Sequence, residues 1–213
     1  TLSSASINSK SIHKNSIFFG IKGKKFDGNK FAIEAINNGA ILAISNFRVK
    51  NSKVKFIRNP LNLLNTASSM LRKSLNTNTI AITGSAGKTS VKELTGFCLN
   101  KLEKTYSSKR SFNNKFGVPL SIFNMPETAK FSVLEAGMDK KGEIDYLTKL
   151  IKPNLGLITN ISYAHIKNFK NLNHIAKAKS EIIDNIVSGG TMVINMDDQY
   201  YKYFLRKSKN RGL

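Results

Sequence analysis

The apolar run Thr79-Ile80-Ala81-Ile82 leads without a break into Thr83-Gly84-Ser85-Ala86-Gly87-Lys88-Thr89-Ser90, and this junction constrains the fold more than any other stretch of the chain. A short apolar run bounded by glycines reads as a buried strand. Val91-Lys92-Glu93-Leu94 behind it reads as the start of a helix. A strand that turns through glycines directly into a helix aims backbone N–H groups and the positive end of the helix dipole at one point, which makes an anion site. Gly84, Ser85, Ala86, Gly87, Lys88, Thr89 and Ser90 are therefore candidate nucleotide-binding residues. Lys88 is placed to reach β- and γ-phosphates, and the Thr89 hydroxyl to hold Mg²⁺. Position 82 is Ile where the full phosphate-loop pattern has Gly, so the loop is the shortened form G-x-x-G-K-T. An ordinary glycine turn accounts for the glycines but not for the Lys-Thr pair.

From Thr79 onward strand and helix patterns alternate. Strands are expected at 79–83, 131–135, 155–160 and 192–194, and helices at about 88–101, at 143–151 and at 172–187, the last stopped by Gly189-Gly190. This rhythm implies a parallel sheet with helices on both faces. Ligands on such sheets sit beyond the carboxyl ends of the strands. The glycine loop, Glu135, Asn160 with His165, and Asn195 all fall there. Ahead of residue 79, Ser16–Ile21 and Ala40–Ile44 read as strands, and Phe31, Ile33, Ala35, Ile36 and Ala40 recur at near-helical spacing. Pro60 opens a helix with apolar positions at Leu61, Leu64, Ala67, Leu71 and Leu75. Asn76-Thr77-Asn78 reads as a linker. The expectation is an α/β protein: a small mixed α/β N-terminal domain over 1–76, then a phosphate-loop, parallel-sheet ATP-binding domain over 77–213.

Two features of composition bear on function. The formal net charge is +21, from 34 basic and 13 acidic residues. The basic residues are 28 Lys and 6 Arg spread over the whole length, whereas a surface that reads phosphate backbones favours clustered Arg. Solvated helix faces are the better account, and no nucleic-acid partner is expected. The single Cys98 excludes an intramolecular disulfide and suits a reducing cytoplasm. Lying beside Phe97 and Leu99 in a helical pattern, it is expected to be buried. No apolar run approaches the ~18 residues of a membrane helix.

Glu135 ends an apolar strand across from the loop, where a carboxylate is a natural Mg²⁺ ligand. The residues alone leave His165 open between a surface loop position and a ligand. Lys177 and Lys179 lie in a helix, where lysines ordinarily face solvent.

The ordered set T-G-S-A-G-K-T-S, S-F-N-N-K-F-G-V-P-L, L-E-A-G-M-D-K-K-G-E-I, N-I-S-Y-A-H and A-K-A-K-S-E-I resembles the Mur ligase family. It is closest in kind to the type that adds D-alanyl-D-alanine to UDP-N-acetylmuramoyl tripeptide in peptidoglycan precursor synthesis. Asn8-Ser9-Lys10, Phe18-Phe19-Gly20-Ile21-Lys22-Gly23 and Phe26-Asp27-Gly28-Asn29-Lys30-Phe31 resemble that family's uridine-nucleotide-binding first domain. The resemblance implies ATP-driven amide formation through an acyl phosphate. It implies catalytic roles for Lys88, His165 and Lys179, with Thr89, Glu135 and His165 holding two Mg²⁺ ions. It further implies carbamylation of Lys179, tripeptide contacts at Asn113 and Asn114, a uridine-side contact at Ser9, and Asn195 facing the adenine. A cytoplasmic monomer is expected.

The chain departs from the family pattern in three places. The first-domain Asp-Ser-Arg reads Asn8-Ser9-Lys10, which loses the acid and the forked guanidinium. Lys140 stands where His is common. Family members run to about twice this length, and the basic stretch Lys207–Leu213 reads as an interruption ahead of an absent C-terminal domain, so a fragment or truncated product is expected. Three other readings stand beside the first: a sibling Mur or folylpolyglutamate-type ligase, a basic nucleic-acid-binding module, and a non-catalytic nucleotide-binding fragment. The Asn113-Asn114 segment argues against the sibling ligases.

Overall fold

The computed structural model describes residues 4–23, 26–109, 112–163 and 168–213. The chain divides into two compact units, Thr1–Leu71 and Arg72–Leu213.

In the first unit, strands β1 (Ser4–Ser6), β2 (Ser16–Phe19), β3 (Leu42–Ser45) and β4 (Val54–Phe56) form an all-parallel sheet in the order β1-β2-β3-β4. Helix α1 (Ala32–Asn37) crosses between β2 and β3, and α2 (Pro60–Ser74) begins after β4. The core is small: Phe18, Ala32, Ala35, Ala40, Ala43 and Val54. The apolar spacing finds α1 and, in Ala35, one of its inward residues, but it counts Phe31 and Ile33 with them and passes over Ala32. Ala32 and Ala35 are buried, while Phe31 and Ile33 stay over a third exposed. Short side chains on the inward face let the helix lie close to the sheet.

The division into units falls inside α2, ahead of Asn76-Thr77-Asn78. In the second unit β5 (Asn78–Thr83) leads through the glycine loop into α3 (Lys88–Leu99). There follow β6 (Thr105–Ser107), α4 (Gly117–Phe123), β7 (Phe131–Glu135), α5 (Glu143–Ile151) and β8 (Leu155–Ile158). The unit ends with α6 (Leu172–Lys179), α7 (Glu181–Asp184), β9 (Thr191–Ile194) and α8 (Tyr201–Asn210). The sheet is all-parallel in the order β6-β7-β5-β8-β9. β5 thus lies between β7 and β8, with Ile82 opposite Glu135 and Thr83 opposite Ile158. The carboxyl ends of these three parallel strands lie side by side, and the region beyond them is the ligand position for such a sheet. Val118, Leu134, Ile144, Ile151, Ile175 and Phe204 belong to the core beneath it.

Two expectations need correction. The single helix over 172–187 is two helices broken at Ser180. Lys207 Nζ donates to Ser180 O at 2.9 Å, and Glu181 turns to accept from Gly142 N at 2.8 Å and Asp145 N at 3.1 Å at the start of α5. A carboxylate at a helix N-terminus satisfies orphan N–H groups and meets the dipole favourably. Cys98 is exposed rather than buried, because α3 is turned opposite to its apolar pattern. Its buried residues are Lys92 and Gly96, whereas Leu94 and Phe97 are 65% and 63% exposed. A β-carbon at Gly96 would overlap Ser107 Oγ, so glycine lets α3 approach β6. Among the described residues no helix is long and apolar enough to cross a membrane.

Candidate nucleotide and metal site

The loop after β5 is held in shape from the end of β8. Ser85 N donates to Asn160 O at 2.9 Å and Ala86 N to Asn160 Oδ1 at 3.1 Å, while Thr159 Oγ1 donates to Ala86 O at 2.6 Å. Gly84 (φ +150°) and Gly87 (φ +78°) have backbone angles that side chains disfavour, and a β-carbon at Gly84 would overlap Thr159 Oγ1. The first helical bond runs from Val91 N to Gly87 O. The N–H groups of Lys88, Thr89 and Ser90 therefore precede the helical ladder and sit at the positive end of α3.

Two lysines converge on this loop. Lys88 Nζ donates to Gly84 O at 2.8 Å and to Ser85 O at 3.3 Å. Lys179, 1% exposed on α6, donates to the same Gly84 O at 2.8 Å. Burial lowers the pKa of Lys88, an effect the Glu135 carboxylate opposes. Lys179 is lowered to about 7, chiefly by burial and further by the Lys88 charge. Its amine is thus largely neutral just above neutrality, the form that reacts with carbon dioxide. Helical position alone would send Lys179 to solvent. Lys177, two residues earlier, does face it.

Glu135 is fully buried at the end of β7. Its Oε2 accepts from Asn113 Nδ2 at 3.3 Å, and Oε1 faces Lys92 Nζ at 3.5 Å. Oε1 accepts no hydrogen bond from the described residues. A buried carboxylate oxygen with unused lone pairs, at the strand end beside a phosphate loop, suits a hard cation. Thr89 is exposed on the first turn of α3. Among the described residues no three His, Cys, Asp or Glu side chains cluster. His165 lies outside the described residues.

The other candidates are placed as follows. Asn114 Oδ1 accepts from Phe116 N and Gly117 N, both at 3.0 Å, and so caps α4, while Asn113 braces Glu135. Asn195 Nδ2 donates to Thr159 O at 3.1 Å. It lines a cleft of ≈ 380 Å³ with Gly87, Val91, Thr159, Asn160 and Val193, at the ends of β8 and β9 beside the loop. In the first unit Ser9 is buried and donates to Glu34 Oε1 at 3.0 Å. A smaller cleft of ≈ 170 Å³ there is lined by Lys22, Asn29, Asn46 and Arg58 among others, and Ser9 does not line it. Thr159 and Lys92 were not legible as site residues. Thr159 carries no motif, and a lysine in a helix ordinarily signals solvent.

Three comparisons bear on this arrangement. The Mur ligase middle domain matches residues 82–213. The UDP-N-acetylmuramoyl-tripeptide–D-alanyl-D-alanine ligase of Haemophilus influenzae is 35% identical over 208 residues, 93% of this chain and 45% of the relative. Crystal structures of MurF from Acinetobacter baumannii (TM-score 0.88, 28% identity) and of MurF from Thermotoga maritima in complex with ADP (TM-score 0.84, 28% identity) superimpose on 97% and 96% of the chain. The chain covers 46% and 48% of those structures, so it spans about half the length of the relatives it matches. Fold, loop and the extent of the family match agree: the chain belongs to the Mur ligase family.

Proposed function

We propose that this chain provides the uridine-substrate-binding and ATP-binding parts of a ligase that joins D-alanyl-D-alanine to UDP-N-acetylmuramoyl tripeptide in the cytoplasm. The observation that carries the reading is the convergence of Lys88 and Lys179 on Gly84 O, beside the buried Glu135. The Lys88 ammonium, folded back onto a backbone carbonyl that the Lys179 amine already meets, is a cation that an anionic ligand in the loop would engage. The names of the relatives support the substrate assignment.

In this reading the amides at the start of α3 and Lys88 bind the β- and γ-phosphates, and the 380 Å³ cleft beside Asn195 takes the base. The tripeptide carboxylate attacks the γ-phosphorus, ADP leaves, and an acyl phosphate forms. The amine of D-alanyl-D-alanine then attacks the acyl carbon, loses a proton, and expels inorganic phosphate. Lys88 and the loop amides stabilise charge on the phosphoryl group in transfer. Thr89 and Glu135 would hold one Mg²⁺ and Glu135 with His165 a second, which neutralise phosphate charge when bound. Lys179 as a carbamate supplies negative charge beside Lys88. Asn113 and Asn114 orient the tripeptide by whatever hydrogen-bonding capacity their internal contacts leave. Ser9 and the Lys22–Arg58 cleft serve the uridine end.

The test is phosphate release from ATP and Mg²⁺ with the UDP-muramoyl tripeptide, with and without D-alanyl-D-alanine, on the chain and on Lys88→Ala. Release that needs both substrates and is lost in Lys88→Ala supports the ligase. Release dependent on neither substrate, or unchanged in Lys88→Ala, contradicts it.

A further inference from the structure

Helix α3 buries a lysine and a glycine while exposing a leucine and a phenylalanine. Packing does not account for this, since an apolar side chain in the place of a buried charge is often neutral or stabilising. The contacts of Lys92 are specific. Its ammonium donates to Ser108 O at 2.7 Å, and it forms ion pairs with Glu93 Oε1 at 2.9 Å and, more loosely, with Glu135 Oε1 at 3.5 Å. Glu93 is 62% exposed and Glu135 fully buried. With Asn113 on Oε2, both oxygens of Glu135 are therefore held by a donor or a cation from a different element.

We infer that Lys92 is a positioning residue: it fixes the Glu135 carboxylate in the orientation that receives the metal ion of the nucleotide complex. The inference rests on the reading of Glu135 as a Mg²⁺ ligand. The position of Lys92 has a structural logic. It lies one helical turn beyond Lys88, so α3 delivers one lysine to the phosphates and the next to the metal's carboxylate. Gly96, a further turn on, brings the helix near enough to β6 for the side chain to reach Ser108 O and Glu135 together. A ligand held from behind in this way binds its metal more tightly, and loss of such a partner costs roughly 10- to 100-fold in metal affinity.

The experiment uses the 213-residue chain with Mn²⁺ as the probe. Free Mn²⁺ is read by electron paramagnetic resonance at saturating ADP, and ADP binding without metal by calorimetry. Lys92→Met is expected to weaken Mn²⁺ by about tenfold or more while leaving metal-free ADP affinity unchanged. A lysine that merely ties α3 to the 105–108 segment would lower both affinities together, or neither, and either result overturns the inference. Should Lys92→Met leave Glu135 uncompensated and the chain unfolded, Lys92→Met/Glu135→Gln decides. Its Mn²⁺ affinity should equal that of Glu135→Gln alone, because Lys92 acts through the carboxylate. An additive further loss contradicts this. If Glu135→Gln itself leaves Mn²⁺ binding unchanged, the metal-ligand reading falls and the inference with it. If Glu135→Gln weakens the metal and Lys92→Met does not, only the inference falls.

Discussion

Replacing Lys179 with methionine removes a buried ammonium and keeps nearly the same side-chain length. The Lys179 pKa is lowered from 10.5 to about 7 in the folded chain. Between those values the unfolded chain holds a proton that the folded chain has released, so wild-type stability rises with pH. Below about pH 7 both states are protonated and the full cost of burying the charge is present; each unit above it relieves about 1.4 kcal/mol. From about pH 6 to about pH 9 the wild type should therefore gain about 2.5 kcal/mol relative to Lys179→Met, whose position 179 does not titrate. Methionine also forfeits the bond to Gly84 O, about 1–3 kcal/mol for a charged donor. That loss offsets part of the variant's advantage at low pH and favours the wild type at high pH. Urea melts of both proteins at the two pH values measure the difference directly. A stability gap that does not change with pH would refute the argument, because it would mean an amine titrating as in water.

Carbon-13 bicarbonate should give a carbamate signal by NMR in the wild type and none in Lys179→Met. Arg72 donates to Ile151 O at 2.8 Å and Lys152 O at 3.1 Å at the end of α5, so Arg72→Met should cost about 1–3 kcal/mol in urea melts, chiefly by stranding the Ile151 carbonyl. Gly84→Ala forces a β-carbon onto Thr159 Oγ1 at φ +150°; a loss of about 2–4 kcal/mol, with weakened ADP binding, is expected by melt and calorimetry. Leu94→Gln, on the exposed face of α3, should move stability by less than about 0.5 kcal/mol, whereas a larger loss would mean that this face is packed.

Strand and helix boundaries near the loop were legible because local chemistry sets them. β5 starts one residue before its apolar run, and α5 coincides with its pattern between Gly142 and Pro153. The orientation of α3 was not legible. Periodicity turns Leu94 and Phe97 inward, but a buried ion pair and the close approach at Gly96 turn Lys92 inward instead. Other elements, β1 and β4 among them, left weak signals. β6 is three residues long, α4 carries Pro119 in its first turn and takes its cap from Asn114, and α8 hides a buried Phe204 among basic residues that read as a tail. Lys179 was reached through family resemblance, since nothing in Ala176–Glu181 signals its burial.

The central claim is that the loop between β5 and α3 binds nucleotide phosphate with Lys88 as its cation. A crystal structure of the chain with ADP and Mg²⁺ tests it most directly. The account predicts the β-phosphate against the N–H groups at the start of α3, with Lys88 Nζ moved from Gly84 O onto a phosphate oxygen and the ion beside Thr89 and Glu135. ADP bound elsewhere, or Lys88 still on Gly84 O with phosphate in the loop, would contradict it.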